Sequence, residues 1–427
     1  MHSYVVAIIL VLLAPVFSGA AEPELRTWTS TSGSKMEARF LSLQQGVITL
    51  VRSNGKRLTL KVAQLSEEDQ VFVKDLQKKL DEGPRGEAKI SGIDATPGEI
   101  SEPIACLQSE WHYRLYLPEA FHTGREWPVW FVMSPGGGSK SSSLERYIAG
   151  AERLGCILAL SVESRNKFAE AYTAMYAMVD DIYARAPASE ELSFASGFSG
   201  GSRSAYVLAE YRPNIAGVLA CGSGYGIYID DDGFRSANLP RSTYIYSLIG
   251  TNCFNRDEAV RTHNKVDENF RLRFFPGKHA WAGSSLIEVG MARVYGEALL
   301  VNTDPKFDAY RRIFSRSIIE WVEEMAEERP WEALSWARFL ESFPGDTGVS
   351  AQAASLIPTL EEDPRTGLAS KAEKAIQAFA REYFSRNINS DNGKIPNPER
   401  EAAAEALAAE FEGLPHAEII LRLGKPS

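Results

Sequence analysis

Cysteine is scarce in this chain. The 427 residues contain four, Cys106, Cys156, Cys221 and Cys253, and no C-x-x-C pair. That excludes a zinc ribbon or a thioredoxin-type redox site. Positive charge is also in deficit: 46 Lys and Arg stand against 56 Asp and Glu, for a net charge of −10. Without a long basic run, the chain has no face with which to neutralise phosphates, so nucleic acid is excluded as a partner. Long hydrophobic runs are missing beyond the first residues. Tyr4 to Phe17 is apolar but too short to span a bilayer comfortably. Small residues follow it, Ser18-Gly19-Ala20-Ala21, as at a signal-peptidase site. Residues 1–21 therefore read as a signal peptide, although its first residues lack Lys and Arg; the alternative is an uncleaved anchor. The expectation is an exported protein, periplasmic or extracellular, with no transmembrane helix in the mature chain. No Cys follows the apolar run, which argues against a bacterial lipoprotein, and in an exported chain some of the four cysteines could pair.

What remains is globular in composition, 44% hydrophobic and 24% charged, and long enough for two or three domains. Residues 23–80 alternate with period two: Met36, Ala38 and Phe40, then Val47, Thr49 and Val51, then Leu58, Leu60 and Val62. Asn54-Gly55 between two such runs is a hairpin signal, and Ser66-Glu67-Glu68-Asp69 opens a short helix as a capping box. The pattern predicts a small barrel of about five strands. Residues 81–104, rich in Gly, Pro and acid, read as a linker. Residues 105–301 alternate continuous apolar strands with helices, which predicts a doubly wound, mostly parallel α/β sheet buried on both faces. From 302 to 427 only amphipathic helical patterns remain, without a clean repeat, and a helical C-terminal region is expected.

The chemistry centres on Gly197-Phe198-Ser199-Gly200-Gly201, a G-x-S-x-G turn between a short apolar strand and a helix. In that context the serine is a nucleophile on a tight elbow, with small residues where side chains would clash. The N–H of Gly200 would face the developing oxyanion at the positive end of the new helix. The base follows by elimination among six histidines. His2 lies in the signal, His112 and His122 precede the nucleophile, His263 falls in a helix and His416 in the helical tail. Only His279, in a loop after the last apolar strand, fits the chain order Ser, acid, His. A second oxyanion donor is expected after the third strand, where Pro135-Gly136-Gly137-Gly138 supplies Gly136 and Gly137. The run lacks the phosphate-binding G-x-x-x-x-G-K-[ST] pattern.

Two resemblances follow from these residues. Residues 23–78 resemble the Sla-type homology domain, an SH3-like barrel, through Arg26-Thr-Trp28, the Gly33 turn, Glu37-Ala-Arg-Phe40, Gly46-Val-Ile-Thr-Leu50, Asn54-Gly55-Lys56 and Leu65-Ser-Glu-Glu-Asp69. That resemblance implies a binding module with a protein partner; a spacer barrel without a ligand is the alternative. Residues 105–300 resemble the α/β-hydrolase superfamily, near its esterase and polyhydroxybutyrate-depolymerase-like branch. The matching pieces are PGGG at Pro135, SRN at Ser164, GFSGGSR at Gly197, GTNCFNRDEA at Gly250 and PGKHAW at Pro276. This resemblance implies ester hydrolysis through an acyl-enzyme at Ser199, on a carbohydrate-linked or polyester substrate, with no cofactor and no metal.

One position departs from that branch. Its acid follows the seventh strand in a G-T-x-D-F-N pattern, and here the line reads Gly250-Thr-Asn-Cys253-Phe-Asn255. A thiol does not fix and stabilise an imidazolium as a carboxylate does. Asp257, four residues on, is the expected replacement, with Glu258 beside it. Asp230, Asp231 and Asp232 after the sixth strand are alternatives. If none serves, the domain is a catalytically impaired binding or scaffold protein. Cys221 and Cys253 end neighbouring strands, so a disulfide across the mouth of the site is a further expectation if their Cα atoms come within about 7 Å. Tyr225, Tyr228 and Trp281 are candidates to stack on sugar rings.

Overall fold

The computed structural model describes residues 26–44, 47–52, 57–81, 92–224, 226–229, 233–240, 242–264, 269–384 and 396–427. The chain divides into two compact units, Met1–Lys79 and Leu80–Ser427. Residues 1–21, expected as a signal peptide, and Asp230 to Asp232 lie outside the described residues.

In the first unit, strands β1 (Arg26–Thr29), β2 (Lys35–Gln44), β3 (Val47–Val51) and β4 (Arg57–Lys61) form one antiparallel sheet in sequential order. Helix α1 (Glu67–Asp81) follows. Gly33 holds the β1–β2 turn at φ +84°, a conformation L side chains rarely adopt. The Asn54-Gly55 turn is outside the described residues, but the strands on either side of it pair antiparallel as a hairpin requires, with Val51 opposite Arg57. The expected fifth strand is reduced to a single bridge, Ser30 with Leu65. Ser66 caps α1, its hydroxyl accepting from the Asp69 N–H at 3.3 Å. Asp69 in turn accepts from Arg26 at 2.7 Å and from the Thr29 N–H at 2.6 Å, tying helix to sheet. Trp28, Ala38, Ile48, Leu50, Leu65 and Val73 make the small core.

The second unit is built on eight strands: β5 (Ile104–Ala105), β6 (His112–Tyr116), β7 (Trp127–Met133), β8 (Ile157–Ser161), β9 (Ala188–Phe198), β10 (Ile215–Cys221), β13 (Tyr244–Gly250) and β14 (Phe270–Phe275). A separate hairpin, β11 (Gly226–Ile229) and β12 (Gly233–Ser236), interrupts the chain after β10. The sheet order is β14-β13-β10-β9-β7-β8-β6-β5. All pairs from β14 to β8 are parallel, and β6 and β5 join antiparallel at the edge. This is the α/β-hydrolase fold, doubly wound as the sequence predicts, with β9, the strand that leads into Ser199, near the centre.

Side chains alternate across each strand. Val129, Phe131 and Met133 of β7 enter one core, and Trp130 and Val132 the other. Helices α4 (Ala171–Arg185), α5 (Gly200–Tyr211) and α6 (Arg256–His263) supply the first core. Helices α2 (Ser142–Glu145), α3 (Ile148–Leu154) and α7 (Ser284–Val301) supply the second. The C-terminal region is helical as expected: α8 (Asp308–Met325), α9 (Pro330–Ser342), α10 (Thr347–Glu362), α11 (Pro364–Phe384), α12 (Pro398–Ala409) and α13 (Pro415–Gly424). These helices share the sheet's two cores: Phe314, Ile318 and Trp336 join one, and Ala372, Ile376 and Phe379 the other. The linker expected over 81–104 is only partly one. Its second half lies on the sheet edge, where Gly98 N–H donates to Leu117 O and Ser101 N–H to Leu115 O.

Candidate active site

Strand β9 ends at Phe198 and α5 starts at Gly200, leaving Ser199 alone on the turn at φ 53°, ψ −117°. A non-glycine residue at positive φ is a strained arrangement, held here by its surroundings. Ser199 N–H donates to Cys221 O at 2.8 Å, and Ser202 Oγ donates to Gly197 O at 2.9 Å. A Cβ on Gly197 or on Gly201 would overlap backbone atoms, Met133 O of β7 among them. Only glycine therefore lets helix and strands approach closely enough to raise Ser199.

His279 sits in the loop between β14 and α7. That loop is pinned to the end of β13: Asn252 N–H donates to Gly277 O at 2.8 Å and Thr251 N–H to Phe275 O at 2.9 Å. The pinning places His279 Nε2 at 2.9 Å from Ser199 Oγ. The other ring nitrogen, Nδ1, faces Cys253 Sγ at 3.1 Å. Asn255 N–H also approaches that sulfur, at 3.4 Å. Burial pushes the Cys253 thiol up to about 11, so it is neutral near pH 7. Burial, and then the Arg203 guanidinium, hold His279 below its ordinary value of 6.5. The imidazole is thus the neutral form at pH 7, the form in which a histidine can accept a proton.

Neither Asp257 nor Glu258 reaches His279. Asp257 makes no hydrogen bond to His279. It stands in the first turn of α6, 3.4 Å from Arg256 Nε. Arg256 is fully buried and donates to Thr251 O at 2.6 Å, and Asp257 also acts on the Arg400 guanidinium. Its position answers buried arginines rather than the imidazole. Glu258 gives both oxygens to Arg203, at 2.9 and 2.7 Å. The atom at Nδ1 is the sulfur that stands at the branch's acid position. Its place was legible as a register match in Gly250-Thr-Asn-Cys253-Phe-Asn255. All four cysteines are free thiols, so the Cys221–Cys253 disulfide does not form.

The glycine loop after β7 is held by Arg114, which donates to Gly138 O at 3.0 Å and Ser139 O at 2.9 Å. Gly137 N–H is engaged with Ser134 O at 2.9 Å, which removes it as an oxyanion donor. Gly136, bridged to Arg165, is the glycine whose N–H this turn does not use. Over Gly200 lies the Asn166 amide, so close that a Cβ there would overlap its Oδ1. Sequence reasoning missed this residue as a neighbour of the elbow. Trp281 lies 5.2 Å from the Phe198 ring and 6.0 Å from Tyr147. Tyr225 is outside the described residues, and Tyr228 falls on β11.

Residues 18–80 match the family model of SLA1 homology domain 1 (SHD1). No curated protein matches the chain in sequence. Similar solved structures include a fluorophosphonate-binding serine hydrolase of Staphylococcus aureus, at 11% identity over 47% of this chain and 99% of that one, with a TM-score of 0.38. A ferulic acid esterase aligns at 16% identity over 46% of this chain and 97% of its own, with a TM-score of 0.36. Est1E from Butyrivibrio proteoclasticus aligns at 12% identity over 45% and 96%, with a TM-score of 0.35.

Proposed function

We propose that the protein is a slow serine hydrolase of carboxylic esters, with Ser199 as nucleophile and His279 as base. The observation that carries this reading is the 2.9 Å approach of His279 Nε2 to a Ser199 Oγ raised on a strained elbow. In the reaction, Ser199 Oγ attacks the ester carbonyl as its proton passes to Nε2. The carbonyl electron pair moves onto oxygen, toward the Gly200 N–H and, as second donor, the Gly136 N–H. The imidazolium then returns the proton to the departing alkoxide, leaving an acyl-serine that water hydrolyses by the same route.

The rate is set by the group at Nδ1. A carboxylate accepts from Nδ1–H and so forces the tautomer whose Nε2 is free to take a proton. A neutral thiol is both a weak donor and a weak acceptor. When Cys253 S–H donates to Nδ1, the ring must carry its proton on Nε2 and donate to Ser199, and that form cannot act as base. The same sulfur favours a second reading, a binding or scaffold protein with a residual hydrolase site. Fluorophosphonate labelling decides between them. A label on Ser199 of the native protein, absent after Ser199→Ala, supports the hydrolase; no label at any concentration that modifies ordinary serine esterases leaves the scaffold.

The remaining expectations are proposals on sequence grounds: export by residues 1–21, a carbohydrate-linked or polyester substrate, and a protein partner for the SHD1-like unit. Comparing the N-terminus of the protein recovered from cell envelopes with Met1 tests the first.

A further inference from the structure

The His279 imidazole lies against two phenyl rings. Phe254, the residue after Cys253, has its centroid 3.9 Å from that of the imidazole, with the planes 35° apart. Phe198, the residue before the nucleophile, is at 4.8 Å and 38°. Phe254 is 57% exposed, a large apolar side chain left in solvent, while the adjoining Cys253 is fully buried. Burial in a core therefore does not explain where Phe254 sits. Its neighbour on the inner side is the imidazole.

We propose that Phe254, with Phe198 beside it, is a positioning residue for His279: its ring face fixes the plane of the imidazole and stabilises the imidazolium formed when Ser199 gives up its proton. This inference rests on the reading of Ser199 and His279 as nucleophile and base. It assigns to an aromatic face the two tasks that a carboxylate at position 253 would hold. The π-face carries the negative end of the ring quadrupole, so a cation against it is attracted, and a flat ring against it is held in orientation. The remaining groups around the imidazole do not do this. Cys253 is neutral, Arg203 opposes a cation, Glu258 is engaged with Arg203, and Lys278 next along the chain is itself a cation. Ser199 supplies the proton and no charge before reaction. An exposed phenyl at this place could instead be a wall for the substrate, and the two roles separate in their kinetics.

The test uses the full-length protein with Phe254→Leu, which keeps apolar bulk without a π-face, and Phe254→Tyr, which restores the face. Truncation of an exposed side chain leaves folding intact. The titration of the His279 Cε1–H is followed by NMR, assigned among six histidines with a His279→Gln control. Turnover of p-nitrophenyl acetate is measured against pH in parallel. The expected result for Phe254→Leu is a midpoint lower by about half a pH unit. It is joined by a kcat roughly two- to fivefold lower at unchanged KM. Phe254→Tyr recovers both. An unmoved midpoint, a change confined to KM, or no recovery with tyrosine overturns the proposal. The midpoint needs no substrate, so it decides the ring contact even if a wild-type protein that takes no fluorophosphonate label has removed the hydrolase reading.

Discussion

Replacing Cys253 by aspartate tests the chemistry of the site at its departure from the hydrolase pattern. The sulfur stands 3.1 Å from His279 Nδ1 and 3.4 Å from Asn255 N–H. A carboxylate in its place finds two donors directed at it. With the thiol pushed up to about 11, only on the order of one molecule in 10⁴ carries a thiolate at pH 7. The native protein therefore holds no anion at Nδ1. In a serine protease, exchanging the orienting Asp for its amide lowers kcat about 10⁴-fold by selecting the wrong tautomer, equivalent to about 5.5 kcal/mol. Some of that is not recoverable here, because a carboxylate at this fully buried position is desolvated and Gly222 O, 3.9 Å from the sulfur, faces it without a proton to share. The expected gain in kcat for Cys253→Asp is about 10²- to 10³-fold. It is read as p-nitrophenyl acetate turnover, normalised to the fraction of Ser199 that takes a fluorophosphonate label. The pH profile moves with it. His279 titrates below 6.5 in the native protein, so activity persists below that pH and is lost as pH falls through the lowered value. An adjacent carboxylate favours the imidazolium and shifts that acid limb upward. A folded, labelled Cys253→Asp protein with kcat within about threefold of native would refute the tautomer argument.

Ser199→Ala should remove esterase turnover while leaving the unfolding midpoint near native, since it deletes one hydroxyl on a turn; unchanged turnover places the chemistry elsewhere. Asp257→Asn should act on stability and not on the triad. It strips a charge from beside the buried Arg256 and from the field of Arg400, for a loss of roughly 1–3 kcal/mol by denaturant titration with kcat within about twofold. A loss of kcat by orders of magnitude in a protein of native stability would return Asp257 to the site. Gly200→Ala should suppress both labelling and turnover, because its Cβ overlaps the Asn166 amide and displaces the oxyanion donor, and wild-type labelling would contradict that crowding. Thiol titration of the unfolded protein without reductant should count four reactive groups, and the native protein almost none; two missing thiols would show a disulfide.

What could be read from the sequence was local. The elbow is dictated by sterics within five residues, so Gly197 and Gly201 announce it without knowledge of the fold. His279 was accessible because so few histidines compete for the role. Gly136 against Gly137 was not, since both fit the loop and only the Gly137 N–H bond to Ser134 O separates them. The acid was misplaced for a geometrical reason. Asp257 is four residues beyond the usual position, but α6 begins at Arg256, and a carboxylate in its first turn lies beside that arginine and not back at the loop. What drew it there, Arg400 on α12, is far away in sequence and invisible to spacing. The C-terminal helices were legible but their share in the sheet's two cores was not, because amphipathic spacing reports a buried face and not what buries it.

Those helices bear on the site itself. Asn252, next to Cys253, donates to Arg422 O at 3.2 Å and Pro426 O at 2.9 Å, and Arg400 Nε donates to Gly424 O at 2.8 Å. Arg256 lies with its guanidinium 3.8 Å from the Phe384 ring centroid. The segment from Thr251 to Asp257 is therefore held on one side by the His279 loop and on the other by the helical region. A loop fixed at both flanks does not slide to bring a neighbouring carboxylate into register. The backbone around position 253 is held in place, the side chain there is a thiol, and Asp257 and Glu258 are committed to arginines. Whether the domain turns over esters or only holds a ligand thus depends on what a neutral sulfur and two phenyl faces do for one imidazole, and both can be altered without disturbing the frame that holds them.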